Sequence, residues 1–124
     1  MSRIIIDLDH TLLDTTSFKA ALAKSLGLSP EQWSQIYERA VQDYGGIFDE
    51  DTFLKGASNE EKTNFNNVLK LLHTFLYKDS VPFLKKAVAG GWEVVIVTFG
   101  NKPWQEKKLR VLRSSFPQGI VTMV

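Results

Sequence analysis

Three short apolar runs separate a chain whose remaining hydrophobic positions follow a helical period. Ile4 to Leu8 is β-branched and apolar at successive positions, which predicts a strand buried on both faces, as in parallel sheets. From Thr15 to Tyr77 the period becomes helical. Phe18, Leu22 and Leu26 share a face, and Gly27 is a C-terminal stop. Ser29, Pro30 and Gln32 form a helix start, with a capping serine, a proline at the first helical position and a glutamine three residues after the cap. The helix they open carries Trp33, Ile36, Tyr37, Ala40, Val41 and Tyr44 at three-and-four spacing, and Gly45-Gly46 ends it. A linker with Asp49, Glu50 and Asp51 follows. Ser58 with Glu61 repeats the capping signature, and Phe65, Val68, Leu69, Leu72, Phe75 and Leu76 predict one long helix. Strand and helix then alternate: a helix over Val81–Ala89 stopped by Gly90-Gly91, a strand over Trp92–Thr98, a helix over Pro103–Ser115 and a third strand over Ile120–Val124.

This order predicts an α/β fold with an all-helical insertion: a core formed by residues 1–14 and 79–124, and a helical cap over 15–78. The first two strands run into oxygen-bearing side chains, Asp7 and Asp9 on one and Thr98 on the other. Ligands of open α/β sheets bind at that edge, so parallel neighbouring strands would bring both carboxylates and the hydroxyl into one crevice. Carboxylates at a strand-to-loop turn suit Mg²⁺, a hard ion that prefers oxygen and keeps several waters, and the ion in turn suits a phosphate.

Composition narrows the classes. Forty-four per cent hydrophobic and 23% charged residues describe a globular chain, and 15 Lys+Arg against 14 Asp+Glu leave a net charge of +1 with no global pull toward nucleic acid or anionic membrane. The absence of cysteine excludes a disulfide scaffold, a Cys-ligated metal and a cysteine nucleophile. The apolar run after Arg3 is too short for a signal-peptide core or a membrane span, and a cytoplasmic protein is expected. Lys102, Lys107, Lys108, Arg110 and Arg113 beside Trp104 read as a solvated amphipathic helix rather than a nucleic-acid patch. Trp33, Tyr37 and Tyr44 read as cap core, with a substrate-pocket wall as the alternative.

Asp7-Leu8-Asp9-His10-Thr11-Leu12, directly after an apolar strand, resembles the first motif of the haloacid dehalogenase (HAD) superfamily, and Val95-Ile96-Val97-Thr98 resembles its second. The insertion between them resembles the members whose helical cap follows the first motif, and Gln105 with Lys108 is similar to a Gln-x-x-Lys spacing common in such members. The resemblance implies a HAD-like, Rossmann-like parallel sheet and a Mg²⁺-dependent phosphohydrolase acting on a small phosphorylated metabolite. Asp7 would be the nucleophile and Asp9 the general acid and base. Asp7 and Asp9 would bind the metal, the latter through its backbone carbonyl. Thr98, with backbone N–H groups near Leu8 and Gly100, would bind the phosphate. An aspartate at position 9 favours phosphatases and phosphomutases over the superfamily's dehalogenases.

One departure bears on this reading. The superfamily's third-motif Lys or Arg and its fourth-motif acidic pair follow the third strand, and this chain stops at Val124. Lys102, Lys107 and Lys108 lie too near Thr98 to be the usual third-motif lysine. The insertion leaves 60 residues for the α/β core, a marginal size alone. The chain therefore reads as the N-terminal part of a longer protein with an incomplete sheet. A natural remnant, a chain borrowing strands from a partner or a homo-oligomer, and a non-catalytic phosphate-binding module are the alternatives.

Overall fold

The computed structural model describes residues 2–43 and 49–124. The predicted Tyr44 and Gly45-Gly46 helix end lies outside the described residues. β1 (Arg3–Asp7) is followed by α1 (Thr15–Ser25), α2 (Pro30–Asp43), the single turn α3 (Glu50–Phe53) and α4 (Asn59–Lys70). A 3₁₀ turn at Leu72–Phe75 leads to α5 (Ser80–Ala89), β2 (Glu93–Val97), α6 (Lys102–Leu112), a second 3₁₀ turn at Arg113–Ser115 and β3 (Val121–Met123).

The sheet is parallel, in the order β1-β2-β3. In the centre, Val94 and Ile96 of β2 are wholly buried. β1 departs from the expectation of burial on both faces: Ile4 and Ile6 pack against the core, but Ile5 is 67% exposed. Its ladder has one neighbour, and its second face is uncovered by any described element. Three β-branched residues in succession carry the strand signal whether or not both faces are covered.

Both capping signatures form as predicted. Ser29 and Gln32 exchange side-chain and backbone bonds at 2.8 and 3.1 Å, and Ser58 and Glu61 do so at 3.0 and 3.1 Å. The long helix expected through Leu76 does not form. α4 ends at Lys70, the chain tightens into the 3₁₀ turn, and Leu76 forms an antiparallel bridge with Leu13. Asp14 N–H donates to Phe75 O at 2.8 Å and Tyr77 N–H to Leu12 O at 2.9 Å, so the two ends of the insertion are tied side by side. Over four residues a period of 3.0 cannot be told from one of 3.6, and the apolar pattern ran on through the change. The linker after Asp49 contains α3, whose Glu50 pairs with Lys107 at 2.8 Å.

The buried apolar residues form one cluster. Trp104 of α6 is stacked with Phe18 of α1 at a 6.3 Å centroid separation and tilted against Phe65 of α4 at 6.0 Å. These aromatic contacts hold α1 and α4 against α6, which directly follows β2. No helix among the described residues is long and apolar enough to cross a membrane.

Candidate active site

Because Asp7 lies opposite Val97 in a parallel ladder, the segments that follow β1 and β2 emerge at the same sheet edge. The first segment curls tightly. Leu8 O accepts the N–H groups of Thr11, Leu12 and Leu13 at 3.0–3.3 Å, and His10 takes a left-handed φ of 63°. That turn brings the start of α1 back over Asp9, where the Thr15 hydroxyl donates to Asp9 Oδ1 at 3.0 Å.

Asp9 is held from three elements. Lys108 Nζ of α6 donates to the same Oδ1 at 2.7 Å, with its side chain 3% exposed. The fully buried Thr98, just past β2, stands 3.4 Å from Oδ2. Burial alone would raise the Asp9 pKa, but the Lys108 charge and hydrogen bond, together with the hydroxyls of Thr15 and Thr98, hold it below the ordinary carboxylate value. Burial draws the Lys108 ammonium in the opposite sense to Asp9's attraction and lowers it.

Gln105 orders the hydroxyl behind Asp9. Its Nε2 donates to Phe99 O at 3.0 Å, which turns Oε1 toward Thr98 Oγ1, 3.1 Å away. A threonine has one proton to give, and the nearer acceptor is Gln105. Gly100, at φ +130°, passes so close that a Cβ there would lie 3.1 Å from Gln105 Nε2. Any larger residue would strain the loop and displace that amide.

The four residues singled out from sequence thus occupy different positions at one edge. Asp9 and Gly100 line a cavity of about 250 Å³ with Thr15, Gln105 and Lys108. Thr98 backs it from the interior. Asp7 lies outside this lining, exposed, with no side-chain hydrogen bond or ion pair among the described residues. The Leu8 N–H is taken by Val97 O at 3.2 Å. Among the described residues no group of three or more His, Cys, Asp or Glu side chains is placed to hold a metal, leaving Asp7 and Asp9 as the candidate pair.

Two contributors were not assigned from sequence. Thr15 passed as an ordinary helix start. Lys108 enters the sequence reading through its Gln-x-x-Lys spacing with Gln105 but with no role, and as part of a solvated helix; it is instead buried and bonded to Asp9, with Trp104 buried beside it. The signal was available in the helix period: positions 104, 108 and 112 share one face, and a lysine between a tryptophan and a leucine on a core face needs an anionic partner.

A family model for haloacid dehalogenase-like hydrolases matches residues 4–122. Solved structures with the same fold include a HAD hydrolase of Bacillus subtilis, YfnB, bound to magnesium, at 19% identity and TM-score 0.53 over 98% of this chain and 63% of that one. A HAD family hydrolase of Deinococcus radiodurans R1 with bound phosphate and sodium matches at 18% identity and TM-score 0.55, over 98% and 58%. A structure described as a dehalogenase matches at 18% and 0.54, over 100% and 62%. At these identities the likeness is one of fold, and the chain spans about three fifths of the length of these relatives. No curated protein matches it.

Proposed function

The chain belongs to the haloacid dehalogenase-like hydrolase family, and we propose that within it the protein is a Mg²⁺-dependent phosphohydrolase of small phosphate monoesters. The observation that carries this reading is the grip of Lys108 and Thr15 on Asp9 at 2.7 and 3.0 Å. A halide leaves without a proton, whereas an alkoxide needs one delivered, so a carboxylate held beside the reacting edge has a leaving group to protonate in ester hydrolysis that dehalogenation does not present.

In this mechanism Asp7 attacks phosphorus, the bond to the ester oxygen breaks, and Asp9 gives its proton to the departing alkoxide. A water then attacks the aspartyl-phosphate, Asp9 takes the water's proton, and the phosphorus–oxygen bond to Asp7 breaks to release phosphate. The dianion arriving beside Asp9 works against its ionisation, so Asp9 takes up a proton from solvent as the substrate binds, and that is the proton it gives to the alkoxide. Gly100 N–H offers a donor at the cavity edge, and Thr98 supports the phosphoryl group from behind once its proton turns away from Gln105.

The donor set fits a hard cation with an incomplete protein shell: the Asp7 carboxylate is exposed and unengaged among the described residues, and the Asp9 carbonyl lies two residues along the same strand-end turn. The Asp9 carboxylate itself is committed to Lys108. Mg²⁺ bound there would screen the phosphate's negative charge from Asp7. Core residues 1–14 and 79–124 with a cap over 15–78 is the matching division of labour.

The test measures phosphate release from an aryl phosphate and halide release from a 2-haloalkanoate by the full-length protein, with and without Mg²⁺. Phosphate release that needs Mg²⁺ and falls by about 10³-fold or more in Asp7→Asn is expected. Halide release alone, or equal phosphate release by both proteins, contradicts the reading. Phosphate binding without turnover returns the protein to a phosphate-binding module.

A further inference from the structure

The cavity at Asp9 continues into a second one. His10, Lys19 and Tyr37 line both, and the second, of about 320 Å³, runs on between α1 and α2. Helix geometry explains the course of this groove. Thr15, Lys19 and Ala23 recur every four residues on one face of α1, and Thr15 is bonded to Asp9. Each step along that face carries the groove about 6 Å farther from Asp9. Trp33 and Tyr37 of α2, their rings 6.1 Å apart and 18° from parallel, form the facing wall. An ester whose phosphate sits at Asp9 would lay its alcohol along this face.

Charge marks the groove's first step. Asp9 and Lys108 neutralise each other, but Lys19 has no carboxylate within ion-pair distance among the described residues. Its ammonium is 3.4 Å from the Tyr37 hydroxyl and 4.5 Å from the Tyr37 ring centroid. Neither contact cancels the charge. Glu38 lines only the outer cavity, and His10 is the remaining titratable group at the junction. A half-buried cation in a mainly apolar groove, one helical turn beyond the reacting edge, is a binding point for an anion.

We propose that the preferred substrates are phosphate monoesters whose alcohol carries a second anionic group, a carboxylate or another phosphate, bound by Lys19 over the Tyr37 ring. This rests on the phosphohydrolase reading. The test compares kcat/KM for three esters built on one ring, phenyl phosphate, 4-carboxyphenyl phosphate and 1,4-phenylene bisphosphate, in the wild-type protein and in Lys19→Met and Lys19→Arg. Dividing each anionic ester's value by that for phenyl phosphate, and comparing the ratio between proteins, removes differences in leaving-group chemistry. The ratio should fall roughly tenfold in Lys19→Met and largely survive in Lys19→Arg. The ester showing the larger fall identifies carboxylate or phosphate as the group bound. An unchanged ratio in Lys19→Met, or hydrolysis of phenyl phosphate with rejection of both anionic esters, overturns the assignment of Lys19 while leaving the phosphohydrolase reading standing. If none of the three is hydrolysed, that reading falls and the inference falls with it.

Discussion

Lys108 sets the electrostatics of the Asp9 carboxylate, because a nearly fully buried ammonium must keep its anion. Replacing it by methionine leaves Asp9 partly buried beside an apolar chain, and the expected cost is about 2–3 kcal/mol in urea unfolding. Removing both charges should cost less than the sum, so Asp9→Asn with Lys108→Met gives a favourable coupling in a double-mutant cycle. The pH dependence has a definite sign. The folded Asp9 pKa lies below the ordinary 3.8, so its stabilisation is fully present above that value and is lost as pH falls through the depressed folded one. The cost of Lys108→Met is therefore largest at neutral pH and shrinks in acid, and a cost independent of pH from 7 to 3 would show that the pair is not what Lys108 supplies.

At the scale of elements, local chemistry and tertiary contacts divide the control. α4 begins where it does because Ser58 and Glu61 cap each other, and Ser58→Ala should cost about 1 kcal/mol by thermal unfolding. Bonds from Ser58 hold the Glu61 pKa below its ordinary 4.5, so that cap is complete above 4.5 and weakens as pH falls through the lower folded value. The end of the same helix is not local. Leu72 and Phe75 continue the apolar stripe, but the return of the chain to pair Leu76 with Leu13 depends on a segment more than sixty residues earlier. That is why the helix starts, the three strands and the strand-end motif were legible in the sequence while the neck of the insertion was not. The site divides in the same way. Asp7, Asp9 and Thr98 could be read because each ends a strand or follows one closely. The bond of Thr15 to Asp9 comes from a turn that no short spacing encodes, and the helix period shows Lys108 on a core face without showing that Asp9 is the anion it meets there.

For the whole molecule, the parallel sheet sets β1 at one side with Ile5 exposed and Asp7 at its end. An uncovered β-branched edge strand favours pairing with another chain, so sedimentation of this 124-residue chain should show concentration-dependent association that Ile5→Lys reduces. Unchanged association in Ile5→Lys would place the contact elsewhere. The same geometry leaves Asp7 open to a substrate while Asp9 is fixed, which is the asymmetry the proposed chemistry needs. The most direct measurement is intact-mass analysis of Asp9→Asn after mixing with an aryl phosphate and Mg²⁺, since a phenolate can leave without a proton donor but water attack then lacks its base. The account predicts a gain of one phosphoryl group that maps to Asp7 and is absent when Asp7→Asn is added. Turnover by the wild-type protein with no adduct at Asp7 in the variant, or an adduct at another residue, would contradict it.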